Sequence, residues 1–224
     1  MTLDELEAKL SKIVQSRTEP AARTEWSEIQ QKHSVALYDY RFDHVRLVVA
    51  TAKQMAASLD ADMKVVTLAA WLHDIAKPGM GGVQKHGEAS AEIAREILIQ
   101  EGIDVRTVER VCDAIRRHVG LTLSERVQPK EAQILWDADK IAKLGVTGLI
   151  HFLVNGLKMK PGLDLHGISH EIRKFILLAE KMTASMNTIP GKKMAQERLR
   201  TLQNLSRSLD EELDTDRQSE ADEP

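Results

Sequence analysis

The sequence predicts an all-α protein, and three observations support this fold class. Apolar residues recur every three or four positions along most of the chain, which is the spacing of one helix face. No segment alternates polar and apolar residues for long enough to predict a strand. Hydrophobic residues make up 42% of the 224 positions, which is enough to build a core and excludes a wholly disordered chain.

The composition also excludes several classes of protein. A single cysteine, Cys112, excludes a disulfide framework and a thiolate zinc site. No apolar run approaches the roughly 20 residues that a membrane helix needs, and the amphipathic, acidic segment 1–14 is unlike a signal peptide. We therefore expect a reduced, cytoplasmic protein without a membrane partner. The net charge of −3 argues against stable binding of nucleic acid.

The first predicted helices are separated by a proline. Residues 2–16 have the spacing of a short amphipathic helix, and a break is expected around Glu19-Pro20. A second helix is predicted over 41–59, and His44 joins its apolar face because it lies four residues before Val48.

The third predicted helix, 62–76, is apolar on nearly every side, which is typical of a helix buried all round. It carries His73 and Asp74 at its end and stops before Pro78. The PGMGG segment that follows comes after a helix and lacks the spacing of a phosphate loop, so we expect it to form the rim of a pocket.

Five more helices are predicted along the rest of the chain, and three of them carry polar residues that face inward. His86 opens the first of them, His118 lies on the buried side of the second, and Asp139 lies at the edge of the apolar stripe of the third. Glycines and a proline punctuate the segment after residue 144, which we expect to be turn-rich. The predicted ranges are 86–101, 104–119, 131–144, 168–186 and 191–209.

The distribution of histidines and acids carries the functional signal. Such residues lie at or beside the buried face of four different helices, and another begins a fifth: His44, His73, Asp74, His118, Asp139 and His86. Any one of them alone would be read as a hydrogen-bonded core residue or a helix cap. A buried carboxylate needs a strong partner, and imidazole together with carboxylate suits a divalent transition metal. Their coincidence therefore favours a metal site.

The segments RFDHV, AAWLHDIAK, HGEASAEIAREIL, AIRRHVG and WDADKIAKLG, in this order, resemble the HD-domain superfamily of metal-dependent phosphohydrolases over about residues 35–145. The resemblance implies an HD-domain helical bundle, here with extra N- and C-terminal helices, and a metal held by His44, His73, Asp74 and Asp139. In the family the aspartate just before the basic residue is the ligand. Asp139 rather than Asp137 is therefore expected to bind the metal.

His86 and His118 occupy positions similar to the additional histidines of superfamily members with two metals. In such a site Asp74 would bridge both ions. Alternatively, the two histidines bind substrate phosphate or line the pocket. The resemblance therefore implies one or two divalent ions, of Mn, Fe, Ni, Co or Mg.

The resemblance implies hydrolysis of a phosphate ester, and the mildly basic body of the chain favours an anionic substrate such as a nucleotide. Asp74 would orient the attacking water and Lys77 would hold the phosphate, with Arg117 and Lys140 as further candidates. The absence of a Gly-Tyr-Pro sequence argues against hydrolysis of signalling dinucleotides. An HD-type diiron oxygenase and a non-catalytic regulatory HD protein are the alternatives.

Four regions are expected along the chain. An N-terminal helix over 1–19 precedes an HD phosphohydrolase-like domain over 20–160, and C-terminal helices over 161–209 pack on its core. Residues 210–224 contain eight acidic residues and one arginine, so we expect a solvated, disordered tail. The terminal helices are candidates for a homodimer contact.

Overall fold

The computed structural model describes residues 1–32, 38–79, 86–159 and 162–221, and these residues form ten α-helices and no strand. The predicted all-α fold class is confirmed. The helices are α1 (Leu3–Glu25), α2 (Ser27–Lys32), α3 (Tyr40–Leu59), α4 (Met63–Leu72), α5 (His86–Gln100), α6 (Val105–Arg117), α7 (Lys130–Ile141), α8 (Gly145–Met159), α9 (Leu165–Ala184) and α10 (Ile189–Ala221).

The chain divides into two compact units, Met1–Asp139 and Lys140–Pro224, so the division falls inside α7. The sequence places its boundary later, at residue 160. None of the helices within the described ranges is both long and apolar enough to cross a membrane.

The first unit is organised around α4, which packs against α1, α3 and α6. As its sequence predicts, α4 is buried on nearly every side, and eight consecutive residues from Val65 to Leu72 are buried. Aspartates cap the N-terminus of α4 and of two helices packed on it, by accepting hydrogen bonds from backbone N–H groups of the first turn. They are Asp39 for α3, Asp62 for α4 and Asp104 for α6. These caps fix where the helices that carry the polar residues start.

The expected break at Glu19-Pro20 is wrong, because α1 continues to Glu25 with Pro20 inside it. A proline inside a helix removes one backbone hydrogen bond and costs about 3 kcal/mol. Thr18 and Ala22, on either side of it, are both buried, and the packing of this face offsets the cost. Tertiary burial therefore overrides the local signal.

The sequence predicts turns after residue 144, whereas the structure has α8 there. Gly145 has a φ of 72°, and a Cβ on Gly148 would lie 2.1 Å from the carbonyl oxygen of Lys143. The two glycines therefore allow a tight turn into α8 and permit the start of a helix here.

In the second unit α10 packs on α8 and α9 and extends further than expected. The sequence predicts disorder from residue 210, but α10 runs to Ala221, and residues 222–224 lie outside the described part. Asp210, the first residue of the acidic segment, accepts hydrogen bonds from Ser169 and from Arg173, the latter at 2.6 Å. The acidic segment is therefore tied to α9 where it begins.

Candidate metal centre

Six buried histidines and aspartates, none more than 8% exposed, come together in the first unit. Helix ends supply most of them. His44 lies near the start of α3, and His73 and Asp74 follow α4 directly in the turn at 73–76. His86 begins α5, His118 caps the C-terminus of α6 and Asp139 lies near the end of α7. We call these six residues the His/Asp cluster.

One side of the cluster is formed by His44, His73 and Asp139. The Nε2 atom of His44 lies 3.0 Å from Oδ1 of Asp139, and Nε2 of His73 lies 3.8 Å from the same oxygen. One ligand atom from each of the three lies within 4.8 Å of the others, so these residues could hold an ion.

The other side is formed by His86 and His118, whose Nε2 atoms are 3.1 Å apart. They lie 3.3 and 3.4 Å from Oδ1 of Asp74, while Oδ2 of Asp74 is 3.5 Å from Nε2 of His73. His73, Asp74 and His118 form a second group with the spacing of metal ligands. The two oxygens of one carboxylate therefore face two different sets of histidines.

The protonation of His73 suits a metal ligand. Its Nδ1 is 2.8 Å from the carbonyl oxygen of Ala70, and a carbonyl only accepts, so Nδ1 carries the hydrogen. Burial lowers the pKa of His73 to about 3, so the ring is neutral and Nε2 has a lone pair. That nitrogen is buried and has no hydrogen-bond partner among the described residues. A buried polar atom of this kind is costly unless a ligand completes it.

His118 is oriented in the same way. Its Nδ1 lies 2.5 Å from the carbonyl oxygen of Ile115, which fixes the ring and turns Nε2 toward Asp74. The donor set of neutral imidazole and carboxylate fits a divalent transition metal.

The charges beside the cluster favour an ionised carboxylate and an ammonium group. Burial acts to raise the pKa of Asp74, but His73, His118 and Lys77 outweigh it and hold that pKa well below 3.8. Burial acts to lower the pKa of Lys77, but Asp74 and Asp139 outweigh it and raise that pKa. The Nζ atom of Lys77 donates to Oδ2 of Asp74 at 2.8 Å.

The three residues predicted to bind phosphate, Lys77, Lys140 and Arg117, differ in exposure and in contacts. The side chain of Lys77 is 40% exposed, so it joins the cluster to solvent. Lys140 is only 1% exposed, and Arg117 donates to Asp113 at 2.8 Å on the surface of α6. No described contact joins Arg117 to the cluster. A described contact therefore brings Lys77 to the His/Asp cluster.

Tyr40 and Arg41, at the start of α3, were not singled out from the sequence. The guanidinium of Arg41 lies 4.5 Å from the centre of the Tyr40 ring and donates through Nη2 to Glu25 at 2.5 Å. Its Nη1 is buried and has no hydrogen-bond partner among the residues that the structure describes. Burial raises the pKa of Tyr40, and Arg41 and Lys77 lower it in part, so the phenol is near both cations.

A signal for Arg41 was present in the segment RFDHV, because a residue three positions before His44 lies on the same helix face. The orphaned Nη1 atom depends on packing and could not be read from the sequence.

A groove of about 750 Å³ lies beside the turn that carries Asp74. Arg17 and Thr24 of α1 line it, together with Ile75, Ala76 and Pro78. The sequence predicts a pocket rim at 78–82. Pro78 lines the groove, whereas the part of that segment from residue 80 onward lies outside the described residues.

Comparisons with known proteins agree with this fold. The model of the HD domain family matches residues 41–144. An HD superfamily hydrolase from an uncultured Thermotogales bacterium is 23% identical, with a TM-score of 0.61 over 94% of this chain and 99% of that chain. An HD-superfamily hydrolase from Bacillus thuringiensis is 19% identical, with a TM-score of 0.67 over 95% and 99% of the two chains.

Two further proteins are similar to the chain. YpgQ of Bacillus subtilis, solved in complex with ADP, is 19% identical, with a TM-score of 0.61 over 92% of this chain and 96% of that one. A tRNA (cytidine(56)-2'-O)-methyltransferase of Thermoplasma volcanium is 37% identical over 82 residues. The aligned region is 37% of this chain and spans only 22% of the length of the methyltransferase.

The family match covers all six residues of the His/Asp cluster, from His44 to Asp139. The solved relatives share the helical fold over nearly the whole chain. Residues 41–144 of this chain are therefore similar to the HD domain family.

Proposed function

We propose that the chain is a metal-dependent phosphohydrolase that cleaves a phosphate ester, most simply that of a nucleotide, at the His/Asp cluster. The observation that carries the proposal is the position of Asp74. Its two oxygens face two sets of histidines, while Nε2 of His73 is buried without a hydrogen-bond partner among the described residues. A polar group left incomplete in the core indicates that something else completes it.

In this proposal His44, His73, Asp74 and Asp139 hold one divalent ion, and Asp74, His86 and His118 hold a second. Mn, Fe, Ni, Co or Mg would each accept some of these donors, although the histidines favour the transition metals. When bound, such ions acidify water to near neutral pH and offset the charge on a phosphoryl group.

The side chains of the protein supply binding and orientation. The carboxylate of Asp74 stays ionised and would orient the attacking water from within the cluster. Lys77 stays protonated, and its partly exposed ammonium group would bind a phosphate oxygen beside that water. Lys140 is buried, so a direct contact with substrate is less supported for it than for Lys77.

Two observations support a nucleotide or another polyanion as the substrate class. The buried Nη1 of Arg41, on the helix that carries His44, offers a donor that an anionic oxygen could complete. YpgQ of Bacillus subtilis, which shares the fold, was solved with ADP. Arg117 stays a weaker candidate, because its guanidinium already bonds to Asp113.

The proposal is tested by loading metal-free protein with Mn, Ni, Co or Mg and measuring phosphate release from a panel of nucleotides and simple phosphate esters. We expect turnover of at least one nucleotide, and its loss in His73→Ala. Release that is equal in wild type and His73→Ala would contradict the site. Two bound irons with a spectrum that changes on exposure to oxygen, and no phosphate release, would favour the oxygenase instead.

A matched pair of variants tests the role of Lys77. Lys77→Met should keep the metal content and raise KM about 10- to 100-fold, because the ammonium group binds the substrate rather than the ions. Lys12→Met, on the exposed surface of α1, is the control and should leave KM unchanged. If Lys77→Met lost the metal as well, the assignment of Lys77 to substrate would be wrong.

A further inference from the structure

Gly87 lies at the point where the start of α5 meets the end of α6. A Cβ atom built on Gly87 would lie 2.4 Å from Cγ2 of Val119, closer than real Cβ atoms approach any neighbour. It would also lie 3.4 Å from the carbonyl oxygen of Arg116 and 3.5 Å from that of Ile115. The two contacts with carbonyl oxygens are ordinary, so the absence of a side chain at residue 87 leaves room for Val119, the residue after His118.

The neighbours of Gly87 are the atoms that place two histidines. His86 is the preceding residue, and the carbonyl oxygen of Ile115 accepts from Nδ1 of His118 at 2.5 Å. The backbone packed against Gly87 therefore orients His118, while Gly87 itself is bonded to His86. As a result the two Nε2 atoms are 3.1 Å apart, and both face Oδ1 of Asp74.

A surface ion-pair network spans the same junction. Arg116 donates to both oxygens of Glu88, at 2.9 and 3.0 Å, and to Glu92 at 2.8 Å. This network joins α5 to α6 at the surface, whereas the glycine contact concerns Val119 and, through the chain, the neighbouring His118.

We infer that Gly87 is a positioning residue for the His86 and His118 half of the His/Asp cluster, which it holds at the spacing needed for a second metal ion. The inference rests on the proposed function, since it assumes that these histidines bind metal. Gly87 touches neither ion nor substrate. A methyl group at this position displaces the side chain of Val119, next to His118, and weakens the second site while leaving the first, formed mainly by α3, α4 and α7, intact.

The test is a titration of chelator-treated, full-length protein with Mn²⁺, followed by calorimetry and elemental analysis. Wild type should bind two ions. In Gly87→Ala the dissociation constant of the second ion should rise 10- to 100-fold, the range for residues that orient metal ligands, and that of the first should change less than about threefold. Val119→Ala alone should behave as wild type. The double variant Gly87→Ala with Val119→Ala removes the clashing Cγ2 atom and should recover most of the lost affinity.

Each other outcome is informative. Two ions bound as tightly by Gly87→Ala as by wild type would overturn the inference and leave the proposed function standing. Equal weakening of both ions, or no recovery in the double variant, would show a general loss of structure and would also overturn it. One ion in wild type would overturn the inference but not hydrolysis at a single metal, and no ion in wild type would overturn the proposed function itself.

Discussion

The same three helices, α4, α6 and α7, carry two polar clusters, and the two differ in how completely the protein satisfies them. At or just beyond their C-terminal ends lie four members of the His/Asp cluster, which are His73, Asp74, His118 and Asp139. Toward the N-terminal ends of α4 and α7 lies a second group, formed by Asp62, Arg110 and Glu131, which we call the anchor cluster. Arg110 of α6 donates to Asp62 at 2.5 Å and to Glu131 at 2.9 Å.

The anchor cluster is complete within the protein. Glu131 also accepts from the backbone N–H of Asp62, and Asp62 caps α4 by accepting from the N–H groups of Lys64 and Val65. Burial acts to raise the pKa of Asp62, but the hydrogen bonds from Val65 and Arg110 outweigh it and lower that pKa. Such a network stabilises the contact between helices and needs no ligand.

The His/Asp cluster, in contrast, contains a buried polar atom without a hydrogen-bond partner among the described residues. It is more deeply buried, yet Nε2 of His73 has no hydrogen-bond partner in the described part of the chain. His73 and His118 each bond a backbone carbonyl oxygen through Nδ1, which leaves Nε2 of both rings facing the other members of the cluster. Polar groups that complete each other indicate structure, whereas buried groups that leave donor or acceptor capacity unused indicate a binding site.

The largest expected effect comes from replacing one aspartate of each cluster by alanine and comparing the metal content of the two variants. Asp74→Ala removes the carboxylate that faces both sets of histidines, so it should abolish metal binding and lower kcat/KM by on the order of 10³-fold or more. Asp62→Ala removes a helix cap and a partner of Arg110, so it should lower the free energy of unfolding by about 1–3 kcal/mol and keep the metal. Elemental analysis and urea unfolding of both variants check this. Metal loss in Asp62→Ala with the fold retained would erase the distinction.

The second effect is the pH dependence of unfolding of the metal-free protein. Burial lowers the pKa of His73 from its ordinary value of 6.5 to about 3 in the folded protein, so below pH 6.5 the unfolded chain takes up a proton that the folded one does not. The free energy of unfolding should therefore fall on acidification from pH 6.5 toward 3, by up to about 1.4 kcal/mol per pH unit.

Carboxyl groups with a lowered pKa, such as Asp62 with an ordinary value of 3.8 and Glu109 with one of 4.5, add to the slope mainly at lower pH, so a His73 variant isolates the histidine contribution. His73→Ala should flatten the slope between pH 6.5 and 4.5, as measured by urea unfolding at several pH values. A slope that is the same in His73→Ala would assign the pH dependence to other groups.

The smallest effect compares two arginines that each join neighbouring helices. Arg110→Ala leaves Asp62 and the largely buried Glu131 without their partner, so the free energy of unfolding should fall by about 1–3 kcal/mol. Arg95 joins α5 to Glu109 of α6 at the surface, so Arg95→Ala should lower the free energy of unfolding clearly less than Arg110→Ala. Equal losses in the two variants would show that the anchor cluster is no stronger than a surface ion pair.

The helices and the members of the His/Asp cluster could be predicted from the sequence because both follow local patterns. Helical spacing places His44 and His118 on inward faces, and the all-apolar α4 places His73 in the core. The structure has a helix through Pro20 and another at Gly148, where the sequence predicts none, because burial and a tight turn override local propensity. The orphaned Nη1 of Arg41 and the contact of Gly87 with Val119 depend on distant packing, which no local pattern encodes.

The central claim is that the buried His/Asp cluster is completed by metal. The most direct measurement is elemental analysis of full-length protein purified without chelator, alongside Asp74→Ala purified in the same way. The account predicts close to two divalent transition-metal ions per wild-type chain and almost none in the variant. Wild-type protein that is folded, contains no stoichiometric metal and takes up none from solution would contradict it.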